Sequence, residues 1–444
     1  MIRELSSMMN DSVKILGGGL AGCEAAWFCA NHGLKVHLYE MKPQVFSPAH
    51  TSENLAELVC SNSFRSVNPE SPTGILKDEM RALGSLVMEA AEASRIPAGQ
   101  ALAVDRNLFS SYITEKIKAH PNIELHHEEI SEISGDEITI IATGPMTSAA
   151  LTNALHQLTG QNRLYFFDAI SPIVEADTLD MNHCFKASRY GKGGDDYLNC
   201  PLTEEEYFQF VRGVVNGEKV EVKSFEKNLY FEACLPIEVL AERGEMTLAF
   251  GPMKPVGLID PKTGKQAFAV VQLRMENKYR TLYNMVGFQT KLKYPEQERI
   301  LKMIPALRNA RFARLGSIHS NTYINSPQLL TKTLQLKKNP LIFFAGQITG
   351  VEGYVESSAM GIVSGFYAHT FIKDKHVKHM PQTTALGALL NYITDGNIKD
   401  FQPMNINFGL FPPQGGRFRD EKRLRVVKQA QDDFQKWLTT APLN

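Results

Sequence analysis

The 444-residue sequence has no Cys-x-x-Cys pair, no apolar run long enough to cross a membrane and almost no net charge. Each absence removes a class of function. The six cysteines, at positions 23, 29, 60, 184, 200 and 234, follow neither a zinc-ligand nor a disulfide-framework spacing. No metal and no disulfide scaffold are therefore expected. The longest apolar runs, such as Pro340–Ala345 and Ile138–Ala142, fall far short of the roughly 18 residues a spanning helix needs. Residues 1–11, MIRELSSMMND, lack the apolar core of a secretory signal, and Met8 or Met9 offers an alternative start. These features point to a cytoplasmic protein with no membrane partner. With 47 Lys+Arg against 48 Asp+Glu the formal charge is −1, which argues against a uniformly basic nucleic-acid binder and against an acidic disordered chain.

What remains is an ordinary globular composition, 43% hydrophobic, in a chain long enough for two or three domains. Val13–Leu16 reads as a short buried strand, Gly17–Gly22 (GGGLAG) as a tight turn, and the following residues as a helix ending at Gly33. Lys35–Tyr39 is the next strand, and Glu40 closes a βαβ unit of dinucleotide-binding length. Gly74–Ser94 carries apolar residues at helical spacing, Asp105 is placed to cap a further helix, and strands are expected at Ile123–His126 and Ile138–Ala142. From about residue 189 to 315 glycines and charges dominate. An acidic helix start stands at Thr203–Glu206 and strand-like segments at Met246–Phe250 and Ala267–Leu273. Leu341–Ala345 then resumes the buried-strand signal, followed by glycines and a helix to about Ile372. The pattern predicts an α/β fold: a Rossmann-type domain built from residues 1–188 and 316–444, interrupted by an inserted α+β domain at 189–315.

In the first loop, Gly17 permits the tight turn, Gly19 lets the backbone approach a pyrophosphate, and Gly22 brings the helix close to the strand. Gly18, Leu20 and Ala21 complete this phosphate-facing segment, where free helix N–H groups collect. Glu40 is the expected partner of ribose hydroxyls. Two later features favour FAD over a nicotinamide dinucleotide. One is the Ala-Thr-Gly turn with Thr143 and Gly144. The other is a second strand–glycine–helix site with Gly346, Gln347, Gly350 and Gly353, whose helix amino terminus suits the negative charge of a reduced flavin. Gln347 stands where many flavoproteins have Asp.

The segments GGGLAGCEAAW, PAHTSENLAELVCSNSFRS, SRYGKGGDDYLNCP, CLPIEVLAERG, GQITGVEGYVESSAMG and PMNINFGLFPP resemble the TrmFO family of folate- and FAD-dependent tRNA (uracil-C5)-methyltransferases. The match runs from about residue 12 to 440. The resemblance implies a GidA-like FAD domain with an insertion. It also implies methylation of uridine 54 in the tRNA T-loop, with 5,10-methylenetetrahydrofolate as carbon donor and NAD(P)H as reductant. A related branch acts on ribosomal RNA. Ser320 stands where the family usually has Arg, and Ala233 where Gly is usual, so one bidentate contact is absent.

Uracil C5 becomes nucleophilic when a thiolate adds to C6, so a cysteine is required. Cys60 and Cys234 match the family's functional cysteines. Cys234 is the expected C6 nucleophile and Cys60 the assistant near the flavin, although the two roles are interchangeable on sequence alone. Cys23 and Cys29 fit core packing of the first helix, while Cys184 and Cys200 fit no motif. His319 is a candidate pterin contact, and Glu238 reads best as a solvated helix carboxylate. The near-zero charge hides an asymmetry: Arg274–Arg314 holds ten Lys/Arg and three Glu, a local +7, and the other 37 Lys/Arg and 45 Asp/Glu amount to −8. Arg274, Lys291 and Lys293 in this stretch are the candidate RNA contacts, and a second basic cluster spans Arg417–Lys428. A simple flavin oxidoreductase would need neither the cysteines nor the basic stretch, and a flavin-stabilised RNA-binding protein would tolerate losing both cysteines. The oligomeric state is not encoded in any of these motifs.

Overall fold

The computed structural model describes residues 11–160, 164–220, 235–373, 375–415 and 419–442. A six-stranded sheet has the order Gln335–Leu336, Asn339–Phe344, Thr139–Ile141, Ser12–Leu16, Lys35–Glu40, Ile123–His127. Its pairings are parallel except at the Gln335–Leu336 edge. Ile342 and Phe343 lie beside Thr139 and Ile140, so the late apolar strand completes the sheet begun at residue 12. Such strands are covered on both faces and read as continuous apolar runs. Helix Leu20–Asn31 packs on the sheet and against helix Tyr354–Ile372. A Cβ on Gly361 would stand 2.3 Å from the Ala21 carbonyl oxygen, and one on Gly365 3.2 Å from that of Ala25. These two glycines let the helix axes approach closely, and Tyr354–Ile372 is buried over most of its length.

A second six-stranded sheet, antiparallel throughout, has the order Phe185–Lys186, Tyr197–Leu202, Ala269–Met275, Leu282–Met285, Ile173–Glu175, Phe312–Arg314. It packs against helix Glu204–Asn216, which starts with a capping box between Thr203 and Glu206 as its acidic sequence predicts. Composition alone sets the start of this unit near 189. The second sheet recruits Ile173–Glu175, which lie upstream of that composition change and pair with residues far along the chain. The ribbon Leu164–Ala169 with Ile318–Tyr323 joins the two units.

Two local expectations differ from the fold. The helix predicted over Gly74–Ser94 is two helices, Pro72–Ala82 and Leu86–Ala93. Gly84 between them adopts φ +76° and Ser85 caps the second, accepting from Met88 N–H at 3.1 Å, so a left-handed glycine ends one helix and a serine starts the next. Met246–Phe250, read as strand, contains helix Thr247–Phe250. Its buried pair Leu248 and Ala249 beside exposed Phe250 does not alternate as a strand would.

Two buried carboxylates close helix starts in the first unit. Glu24 accepts from Leu86 and Val87 N–H at 3.1 Å each, and Glu79 accepts from Ala385 and Leu386 N–H at 2.8 Å each. Burial raises the Glu24 pKa to about 7 and that of Glu79 to about 8, with the amide hydrogen bonds opposing the shift. A carboxyl whose pKa is raised on folding binds a proton more tightly in the native state. Its stabilising contribution is therefore complete below the unfolded value and lost as pH rises through the folded one. Thermal stability should fall between about pH 5 and 8.5, and Glu79→Gln should flatten that slope. A melting-temperature profile of the two proteins with equal slopes would refute this.

Candidate active site

The glycine loop opens on a cleft of about 1090 Å³ between the carboxyl ends of the parallel strands, the position at which open α/β sheets bind ligands. Gly17, Gly18, Gly19, Leu20 and Ala21 line it, as do Glu40, Thr143, Gly144 and Gln347. Gly17 has φ +103°, and Gly22 lies behind it, where a Cβ would stand 1.8 Å from the Gly17 carbonyl oxygen. Gly19 is the N-cap of helix Leu20–Asn31, with no side-chain cap bond and open space where a Cβ would be. The cradle therefore fits a dinucleotide pyrophosphate: helix amides without a side-chain cap face a groove that no side chain fills. Glu40 is held by the N–H groups of Gly18 at 2.9 Å and Lys42 at 3.0 Å, at the rim where a ribose would lie. Gly22 and Gly346 serve packing instead, since a Cβ on Gly346 would meet that of Ala21 at 2.5 Å. Gly350 faces the ring of Phe401 and does not line the cleft.

A second cavity of about 980 Å³ adjoins the first, sharing Val59, Pro145, Met146, Gln347 and Tyr354 with it. Cys60 and Gly353 line this second space. Gly353 is the N-cap of helix Tyr354–Ile372, again without a side-chain cap. Gln347 donates its Nε2–H to Glu352, which lines the second cavity, at 2.6 Å. Buried Glu356 pairs with Arg65 at 3.0 Å and accepts from Ile406 N–H at 3.0 Å. No sequence spacing marks these polar groups as neighbours of Cys60.

The Cys60 segment is gripped from both sides. The Tyr354 hydroxyl accepts from the N–H of Cys60 at 2.7 Å and of Ser61 at 3.1 Å, and burial pushes its pKa well up. Arg106 donates to the carbonyls of Leu58 and Cys60, the latter at 3.1 Å, and pairs with buried Glu276 of the second unit. Arg274 donates to Asn62 at 2.9 Å, and Asn62 donates to Met275 O at 2.9 Å. Arg274 is thus buried beneath the Cys60 loop, which corrects its assignment to an RNA-facing surface; burial lowers its pKa. Since removing one partner of a buried ion pair leaves an uncompensated charge, Arg106→Met should lower stability by about 3–5 kcal/mol. Denaturant midpoints unchanged from the parent would refute the prediction.

Among the described cysteines, Cys60 alone is not fully buried. Burial drives the Cys23 thiol far up and that of Cys29 to about 12, so both are inert packing groups as expected. Cys184 and Cys200 lie 3.8 Å apart in the second core. Cys234 and the His319 side chain lie outside the described residues, as do Arg417 and the side chain of Ser320. The backbone of His319 pairs with Asp168 in the connecting ribbon. Lys291 and Lys293 come together at a third cavity of about 690 Å³ with Tyr294 and Gly316. Much of the basic stretch is paired locally: Arg299 with Glu296, Lys302 with Glu298, Lys293 with Glu218, and Arg311 with Glu175 and Asp177. Glu238 is not solvated: it is buried and accepts from the Thr290 hydroxyl and from Lys291 N–H at 3.2 Å. Among the described residues no helix is long and apolar enough to cross a membrane.

Residues 12–376 match the family model of glucose inhibited division protein A. The chain is 56% identical over 434 residues to the Geobacter sulfurreducens methylenetetrahydrofolate–tRNA-(uracil-5-)-methyltransferase TrmFO, covering 97% of this chain and 100% of that protein. It is likewise 56% identical over 432 residues to the Aquifex aeolicus protein of the same name, covering 97% of each. Among solved structures it is similar to Aquifex aeolicus GidA, with a TM-score of 0.69 at 16% identity, covering 96% of this chain and 73% of that one. That likeness establishes the fold. Full-length identity of this order, with the glycine cradle and Cys60 in place, settles the family: the chain belongs to the glucose inhibited division protein A family and, within it, to the TrmFO proteins.

Proposed function

We infer that the protein is a cytoplasmic flavoenzyme that forms 5-methyluridine at position 54 of the tRNA T-loop. The observation that carries this reading is the 56% identity, across 97% of the chain, to a relative named as a methylenetetrahydrofolate–tRNA-(uracil-5-)-methyltransferase. In balance, uridine, 5,10-methylenetetrahydrofolate, NAD(P)H and a proton give 5-methyluridine, tetrahydrofolate and NAD(P)⁺. FAD, when bound in the first cleft, supplies the hydride and carbon-relay chemistry that side chains lack.

The protein's own residues divide the remaining work. The Gly17–Gly22 turn and Glu40 bind the dinucleotide, and Gln347 and Tyr354, common to both cavities, form the boundary between cofactor and substrate space. Cys60 opens into the second cavity, where its backbone is fixed by Tyr354 and Arg106. The guanidiniums of Arg106 and Arg274 lie under the same loop, Arg106 paired with Glu276 and Arg274 bonded to Asn62, and hold the segment's shape. Cys234 adds to uracil C6 and Cys60 assists in removing the C5 proton; the reverse assignment is tested in the Discussion. Lys291 and Lys293, which line one cavity, are the proposed contacts to RNA phosphates, and His319 is the proposed contact to the pterin.

The deciding assay incubates purified protein with unmodified tRNA or ribosomal RNA, labelled methylenetetrahydrofolate, and NADH or NADPH. Label should appear as 5-methyluridine at tRNA position 54. Label confined to ribosomal RNA, or no labelled nucleoside at all, would overturn the reading.

A further inference from the structure

At the edge of the parallel sheet, the side chains of His37, Glu124 and His126 converge from two strands. His37 and Tyr39 project to one face of Lys35–Glu40, and Glu124 and His126 to the same face of the edge strand Ile123–His127. The parallel register sets His37 beside Glu124 and Tyr39 beside His126. His37 Nδ1 lies 3.3 Å from His126 Nε2 and 3.3 Å from Glu124 Oε2, while His126 Nε2 lies 3.6 Å from Glu124 Oε1. Without an ion, His37 Nδ1 and His126 Nε2 can each donate to a separate Glu124 oxygen; with both protons on the opposite ring nitrogens, three acceptor groups face one another. A cation between the three atoms satisfies them all: tetrahedral bonds of about 2.0–2.1 Å to zinc separate ligand atoms by about 3.3 Å. The cysteine spacing of the sequence indicates no metal site. This one depends on strand register, which unites residues 37, 124 and 126.

We propose that His37, Glu124 and His126 form a binding site for a divalent transition-metal ion, zinc by the preference of two imidazoles and one carboxylate, with a fourth position open to water. Two features of the surroundings support it. The Tyr39 ring stacks on His126 with centroids 4.5 Å apart and planes 16° apart, orienting the imidazole before any ion arrives. Lys14, opposite His37 in the strand register, is paired with Glu137 at 3.0 Å and lies over the Tyr39 ring. The ligands are also reachable, with side-chain exposures of 40% for His37, 65% for Glu124 and 27% for His126. Tyr39 lines the dinucleotide cleft as well, so the site shares a wall with the cofactor while contributing no atom to it.

The test titrates Zn²⁺ into FAD-loaded, full-length protein by calorimetry. One equivalent should bind with micromolar affinity, and His126→Ala and Glu124→Gln should each weaken it at least tenfold. Because Glu124 is exposed, Glu124→Gln leaves the fold intact and keeps the result interpretable if the histidine variant misfolds. Binding no tighter than millimolar would overturn the site. So would equal affinity in the parent and Glu124→Gln, or binding abolished by thiol alkylation alone, which would assign the ion to cysteine.

Discussion

Replacing Cys60 by alanine should reduce 5-methyluridine formation by about 10³-fold or more, the scale seen when a member of a catalytic set is removed, while leaving FAD bound and the fold intact. The fold should survive because the grip on the segment is made through its backbone: Tyr354 accepts from backbone N–H groups and Arg106 donates to backbone carbonyls. Cys234→Ala should be equally inactive. The two variants differ in what they trap. With methylenetetrahydrofolate present, carbon transfer to 5-fluorouridine in RNA leaves fluorine instead of a proton on C5, so β-elimination is blocked and the C6 thioether persists. Cys60→Ala should still form that adduct and Cys234→Ala should not. Adduct formation by Cys234→Ala alone would exchange the two roles, and full turnover by Cys60→Ala would remove Cys60 from the chemistry.

Gly22→Ala should yield a colourless and less stable protein. Its Cβ would lie 1.8 Å from the Gly17 carbonyl oxygen and 3.0 Å from the Gly17 carbonyl carbon. Both are backbone atoms of the loop that turns at φ +103°, so helix and loop must separate. Overpacking of this kind costs about 1–3 kcal/mol, and the displaced amides no longer converge on the pyrophosphate. Gly19→Ala isolates the second effect. A Cβ at Gly19 meets nothing within 4 Å, so this variant should melt like the parent without cofactor yet bind FAD weakly, because the methyl occupies the groove. The ratio of flavin to protein absorbance, with melting curves of both apoproteins, checks the pair. Equal FAD content in Gly22→Ala and the parent would contradict the close-packing role of Gly22.

Local signals were readable where a single segment carries them. The first βαβ unit, the Asp105 cap that accepts from Asn107 and Leu108 N–H at 3.1 Å each, and the strand at Leu341–Ala345 all lie within a few residues of the pattern that announces them. The break at Gly84 was not read because the apolar spacing continues across it. Charge was the poorest guide. Ten basic residues between 274 and 314 look like one patch, but Arg274 is buried under the Cys60 loop and Arg299 and Arg311 are committed to acidic neighbours. Among the described RNA candidates, Lys291 and Lys293 share a cavity.

By itself the sequence determined the Rossmann-type framework, the glycine cradle and the family, because each rests on contiguous residues whose backbone demands or spacing are unusual. The tertiary structure alone decided which polar groups meet. Arg106 with Glu276, Asn62 with Arg274, Tyr354 with the Cys60 amides, and His37 with Glu124 and His126 are pairs formed across 80 to 300 positions of chain. Their strength comes from burial or convergence, properties of packing in three dimensions that no local spacing encodes.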